Sequence, residues 1–280
     1  MNFGKIISVF IILLSFAILL GLTLGVFFYV PYGNIAVVKI VGEISSTNGN
    51  LLSQSANSIN IAEKLREINS NPLIESVIID INSGGGSSVA SAEIVNAVKE
   101  LTKPSVALIR DVGASGGYWI ASACDYIIAH NLSMVGSLGV NMDYLEFSGL
   151  LKKYNVTYVN LSYPEHKDIF SMYRPLTDSE REWVQEWLEH AYELFVSDVA
   201  LNRNMTREEL RPYANGSIFL GYQALNYGLI DGLGGWGEAY NKSIELSNIT
   251  EPILLEYDQG YSILDLISGL SGRQDVSLRT

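Results

Sequence analysis

The chain has 280 residues, enough for one or two domains, with a net charge of −12 and 48% hydrophobic residues. So acidic a body is ill suited to nucleic acid or anionic lipid surfaces. A single cysteine, Cys124, leaves no internal disulfide framework, and the three histidines (His130, His166 and His190) fall in no Cys/His or His/carboxylate cluster that would hold zinc or iron. No metal or other cofactor is expected.

Residues 6–30 contain no charged side chain. As a helix rising about 1.5 Å per residue they would more than cross a hydrocarbon core of about 30 Å, so residues 1–33 read as an N-terminal membrane anchor. The rival reading is a cleaved signal peptide, for which Thr23-Leu24-Gly25 offers a small-residue cleavage site. Lys5 and the N-terminal amine on the short side favour a single pass through the cell membrane with the body on the extracytoplasmic side. Seven Asn-x-Ser/Thr sequons, at Asn131, Asn155, Asn160, Asn204, Asn215, Asn241 and Asn248, point the same way, because glycan acceptors belong on secreted surfaces.

The body is expected to be one domain over 34–247, followed by a C-terminal extension over 248–280 whose last ten residues fray. A strand at 35–41 leads into a polar loop through 58, and a helix over 59–68 places Ile61, Leu65 and Ile68 on one face. The pattern then alternates: strand 77–81, helix 89–101, strand 105–109, helix 115–123, strand 126–129, helix 144–154 and strand 157–161. Alternating strands and helices imply an α/β fold with a parallel sheet and right-handed crossovers. Thr177 and Glu180 have capping-box spacing ahead of a long helix reaching about residue 202. Its Trp183, Trp187, Tyr192, Phe195 and Val199 read as core or subunit-contact residues, and 221–237 as a helix and turn closing the domain.

Two stretches stand out. In Ala114-Ser115-Gly116-Gly117-Tyr118 a serine sits between small residues where a buried strand meets a helix, and Asp80-Ile81-Asn82-Ser83-Gly84-Gly85-Gly86 is another apolar strand running into glycines. A serine nucleophile needs a base for its proton and donors for the charge that develops on the attacked oxygen. Backbone N–H groups of Gly85 or Gly86 and of Gly116, at a helix N-terminus, could donate; glycines after strands also serve simply as tight turns. For the base, a triad would recruit His130 with Asp125 or Asp143, although none lies in a recognisable triad context. The alternative is Lys167, in the compact Tyr163-Pro164-Glu165-His166-Lys167-Asp168 segment. A lysine base must be desolvated, because its free pKa of about 10.4 leaves roughly one molecule in a thousand neutral at pH 7. Ser137, in Val135-Gly136-Ser137-Leu138-Gly139, could orient that amine or be a plain turn serine. Cys124, in an Ile-Ala-Ser-Ala-Cys run, reads as a small buried hydrophobe.

These residues resemble the signal peptide peptidase A family of membrane-anchored serine proteases, the S49 type with a Clp protease/crotonase-like fold. The resemblance runs from about residue 35 to 236. It rests on Ala114-Ser115-Gly116-Gly117-Tyr118-Trp119-Ile120-Ala121-Ser122, Gly136-Ser137-Leu138-Gly139-Val140, His166-Lys167-Asp168 and Leu176-Thr177-Asp178-Ser179-Glu180-Arg181 in that order. It implies Ser115 as nucleophile, Lys167 as general base, Ser137 as the residue positioning the lysine, and Gly85 or Gly86 with Gly116 as oxyanion donors. It also implies a homo-oligomer in which serine and lysine of one site come from different copies, acting on signal-peptide remnants or other hydrophobic segments. Gly84 departs from the family, which usually has proline there, and is expected to loosen the loop. Three other readings are open: a related protease trimming particular membrane proteins such as stomatin-like partners, a crotonase-like acyl-CoA enzyme, and an inactive assembly scaffold.

Overall fold

The computed structural model of the protein describes residue 15 and residues 33–47 and 55–257. Apart from Ser15, the apolar stretch read as an anchor lies outside them, as does the frayed tail. Among the described residues no helix is long and apolar enough to cross a membrane.

The centre is a mainly parallel sheet. Strands β1 (Ile35–Val41), β4 (Ser76–Ser83), β5 (Ser105–Ala114) and β6 (Tyr126–Ala129) lie side by side, with β9 (Gly232–Leu233) beyond β6 and β10 (Leu254–Tyr257) beyond β1. All these pairings are parallel. A separate parallel pair is formed by β2 (Glu43–Ser45) and β3 (Ser55–Asn57), within the stretch expected to be loop. This mixed α/β architecture fits a Clp/crotonase-like fold.

Strand residues alternate between two cores, as a period of two requires. Ala36, Val38, Ile40, Ile79, Ile81, Ala107 and Ile109 face helices α1 (Ser58–Ser70), α2 (Ser88–Lys99) and α3 (Gly116–Ser122) together with the C-terminal half of the long helix α5 (Asp178–Asn202). Ile35, Val37, Ile78, Val106, Leu108 and Ile128 face the other way, onto α8 (Trp236–Ser247). Helices on both faces explain why these strands read as continuous apolar runs. The edge strand β10 falls in the segment expected to be an extension, and it bonds in register with Ile35 to Val38 of β1.

Two predicted elements differ. The helix expected over 144–154 is confined to α4 (Ser148–Lys153), and no strand forms over 157–161, where Leu161 is 95% exposed. Alternating Val, Tyr and Leu suits a strand only beside another strand, and none among the described residues is paired with this segment. The long helix α5 (Asp178–Asn202) forms as expected, with the Thr177/Glu180 capping box at its start. Phe195 and Val199 are buried, while Trp183 and Trp187 stack on each other about half exposed. Three of the sequon asparagines, Asn155, Asn204 and Asn248, have left-handed backbones next to helix ends, so helix termination itself accounts for asparagine at those places.

The C-terminus of α5 is tied to the sheet by Arg203, whose guanidinium is almost buried and donates twice to Asp231, at 2.7 and 3.0 Å. Asp231 also accepts the Ile127 N–H at 2.8 Å, and the nearby Leu229 carbonyl accepts the buried Tyr118 hydroxyl of α3 at 2.7 Å. Replacing Asp231 by Ala leaves the guanidinium without its countercharge, and we expect a loss of about 3 kcal/mol in unfolding free energy by denaturant titration. A loss below about 1 kcal/mol would show that this pair does not hold α5 to the sheet.

Candidate active site

Strands β4 and β5 shift register between Ile81 and Ser83, so that Ser83 pairs with Gly113. There β5 leaves β6 and pairs instead with β7 (Met134–Gly136), matching Val112 with Met134, Gly113 with Val135 and Ala114 with Gly136. This side-by-side register ends at adjacent positions, Ser115 and Ser137. Both have left-handed backbones, φ +51° and +53°, and both line one cleft of about 820 Å³.

Ser115 occupies a sharp junction between β5 and α3. Its N–H donates to the Gly136 carbonyl at 2.8 Å and its carbonyl accepts the Trp119 N–H at 2.9 Å. A serine at φ +51°, ψ −124° lies outside the ordinary wells, at a cost of order 1–3 kcal/mol, and turns its side chain out of the strand line. The next N–H, that of Gly116, opens α3 and has no acceptor within the helix. Side chains are excluded at Gly116, because a Cβ would come 2.2 Å from Ser91 Oγ.

The opposite wall is the glycine loop after β4. Gly85, at φ +98°, approaches so closely that a Cβ there would lie 2.7 Å from Gly116 N and 3.1 Å from Ser115 Oγ. Its N–H is already used, donating to Ser83 Oγ at 3.1 Å. Gly86 is arranged differently. Ile44 of β2 donates to the Gly85 carbonyl and accepts from the Ser87 N–H, both at 2.9 Å, so it bonds to the residues flanking Gly86. In a parallel bridge of this kind the central residue turns its own N–H and C=O the other way. Gly86 lines the cleft with Ser115; Gly85 does not.

A family model described as peptidase family S49 matches residues 97–250, which include Ser115, Ser137 and Lys167. The chain belongs to that family. It is 34% identical over 201 residues to a putative protease of Methanocaldococcus jannaschii, covering 71% of this chain and 64% of that one. It is 32% identical over 228 residues to a putative signal peptide peptidase of Enterococcus faecium, covering 80% and 66%. It is 31% identical over 252 residues to a chloroplastic serine protease of Arabidopsis thaliana, covering 84% and 36%. The chain thus spans somewhat under two thirds of the first two relatives and about a third of the last.

Within this S49 chain the expected site residues separate into two groups. Ser115, Gly86 and Ser137 line the cleft described above, and Gly85 packs against Ser115 and Gly116 behind it. Lys167 stands apart on an exposed one-turn 3-10 helix, Glu165–Asp168, its N–H bonded to the Pro164 carbonyl at 3.1 Å, and it is not among the residues lining the Ser115 cleft. The triad candidates have other tasks. His130 accepts the Leu132 N–H on Nδ1 at 3.2 Å, Asp125 accepts the Ser105 N–H and hydroxyl, each at 2.8 Å, and the exposed Asp143 lies 3.4 Å from the Asn141 amide. None of the three lines the cleft. Cys124 is buried and burial pushes its thiol pKa up, as suits a packing residue.

The loop around Gly84 is tied down on both sides. Ser83 Oγ donates to the Gly42 carbonyl at 2.6 Å while accepting from Gly85, and the Ile44 bridge holds the other end. Gly84 itself is exposed, and a Cβ there would meet nothing within 4 Å.

The far wall was not legible in the sequence. It comes from Gln185, Leu188, Glu189 and Tyr192 of α5 and from Ala214, Asn215 and Gly216. Tyr192 donates to the Ala214 carbonyl at 2.6 Å and Ser137 N–H to the Ser217 carbonyl at 2.8 Å, fastening these pieces together. The only sequence signal was the turn-forming Asn215-Gly216. Because Gly85 has no room for a side chain against Ser115, Gly85→Ala should slow labelling of Ser115 by a fluorophosphonate about 100-fold while leaving the circular dichroism spectrum unchanged. Labelling at the wild-type rate would show that Gly85 does not shape the site.

Proposed function

We propose that this protein is a serine endopeptidase of the membrane, anchored by the apolar stretch 6–30 with its body on the extracytoplasmic side, and that it works through a Ser115–Lys167 dyad. The observation that carries the reading is the junction at Ser115: a serine held at positive φ where β5 meets α3, lining one cleft with Gly86 and packed against Gly85. Ser115 Oγ attacks the peptide carbonyl and gives its proton to the neutral Lys167 amine. The oxyanion is met by the N–H groups of Gly86 and Gly116, which fits Gly85 having spent its own on Ser83. Collapse expels the amine product, which takes the proton back from Lys167, and water then enters by the same route to release the acyl group.

Lys167 is exposed and outside the Ser115 cleft, which supports a homo-oligomer in which the lysine of one copy serves the serine of another. Docking against a neighbour would also supply the desolvation that a lysine base requires. The exposed Leu161, Tyr163, Trp183 and Trp187 offer apolar surface for that contact. Ser137 orients the incoming amine, a role supported by its place beside Ser115 in the same cleft. Substrates are peptides, with signal-peptide remnants and other hydrophobic membrane segments favoured by the likeness to signal peptide peptidases; no cofactor enters these steps.

Ser115→Ala should abolish cleavage of an unstructured peptide, by about 10⁴-fold or more, with assembly intact; full activity would overturn the nucleophile. Lys167→Arg should be equally inactive, because guanidinium does not surrender its proton. Wild-type activity should rise on the alkaline side of neutrality as the base loses its proton. An active Arg variant would place the base elsewhere.

A further inference from the structure

The residue after Lys167 is held unusually firmly. Arg174 donates to both oxygens of Asp168, at 2.8 and 2.9 Å, and to both oxygens of Glu180, at 2.7 and 2.8 Å. Glu180 is 2% exposed and accepts the Thr177 N–H at 2.9 Å, completing the capping box of α5. The guanidinium therefore bolts the short turn bearing Lys167 to the first turn of a 25-residue helix, whose later turns wall the Ser115 cleft. Two bidentate pairs on one guanidinium define a plane that a lysine ammonium would not reproduce.

We propose that Arg174 is a positioning residue for Lys167: through Asp168 and Glu180 it sets where the lysine stands and how much negative charge lies beside the turn that carries it. The proposal rests on Lys167 being the base. Arg174 contributes one positive charge beside two carboxylates, so the cluster is singly negative; without Arg174 it is doubly negative and stabilises the ammonium that must be discharged. Arg174 holds the Asp168 and Glu180 carboxyls down at about 2. Carboxyls lowered in this way contribute stability that is complete above the ordinary carboxylate range and is lost as pH falls through about 2, so the clamp is fully charged wherever the enzyme is assayed. Among the described residues, His166, with Nδ1 3.9 Å from Glu180 Oε1, and Lys152, which lines the same hollow as Asp168, Arg174 and Glu180, also stand beside the cluster. Both are unchanged in every variant below, so differences between pH profiles report the cluster.

The test uses the full-length assembled protein and a fluorogenic peptide, with kcat and KM measured from pH 6 to 10 for wild type, Arg174→Gln, Arg174→Lys, Asp168→Asn and Lys167→Ala. For Arg174→Gln we expect kcat to fall about 10- to 100-fold with KM within about twofold, and the alkaline rise to move up by about half to one pH unit. Arg174→Lys restores the charge without the fork, so its alkaline rise should return to the wild-type position while kcat stays low. Asp168→Asn leaves Arg174 on Glu180 and removes one negative charge, so its rise should move to lower pH; it also serves if Arg174→Gln does not assemble. Profiles that coincide with wild type in all three, whatever the rate, would overturn the positioning role. An active Lys167→Ala would instead remove the base assignment on which it rests.

Discussion

The hydrogen bond from Ser115 N–H to the Gly136 carbonyl is the constraint around which the site is organised. It exists because β5 changes partners part-way along, exchanging β6 for β7 after Ile109, so that Ala114 lies opposite Gly136. The bond holds Ser115 in a backbone conformation it would not choose. The cost is offset by the contacts around it: Tyr118 anchored to Leu229, Trp119 donating to Asp198 at 2.7 Å, and Gly85 pressed against Ser115 and Gly116. A strained residue persists only where its surroundings over-determine it, and such places concentrate at functional sites.

The same constraint decides which amides are already bonded. Ser115 spends its N–H on β7, leaving Gly116 as the first open donor of α3. On the other wall Ser83 consumes the N–H of Gly85, and Ile44 turns Gly86 outward. Two hydrogen bonds and one bridge thereby fix the loop on either side of Gly84. Ser115 and Gly86 thereby line one cleft with Gly116 next in chain, held on sheet and helix ends rather than on a free loop.

Much of this was legible in the sequence because it is local. Ile35 to Val41, Ser76 to Ser83 and the Thr177/Glu180 box announce themselves by apolar runs and capping chemistry, and Ser115 by its small neighbours at a strand-to-helix step. What could not be read depends on pairing at a distance. Strands β7 and β8 (Ile218–Leu220) are three residues each and antiparallel across more than eighty residues of chain, too short to leave a period. The choice between Gly85 and Gly86 turns on the partners of Ser83 and Ile44, neither of which has a sequence signal. The false strand at 157–161 errs in the opposite sense, having the right residues but no neighbouring strand. Asp168, Arg174 and Glu180 were each visible, two of them inside recognised motifs, yet their joining through one guanidinium appears only in three dimensions.

The central claim is that a complete site draws its serine and its lysine from different copies, and mixing tests it most directly. Ser115→Ala and Lys167→Ala, each inactive alone and carrying different affinity tags, are unfolded, mixed in equal amounts and reassembled, and particles bearing both tags are assayed on a peptide. Random assembly pairs an intact Ser115 with a neighbour's intact Lys167 at about one site in four, so about a quarter of wild-type activity should return. Mixed particles with no activity, under conditions where wild type regains its own, would mean that serine and lysine must come from the same chain.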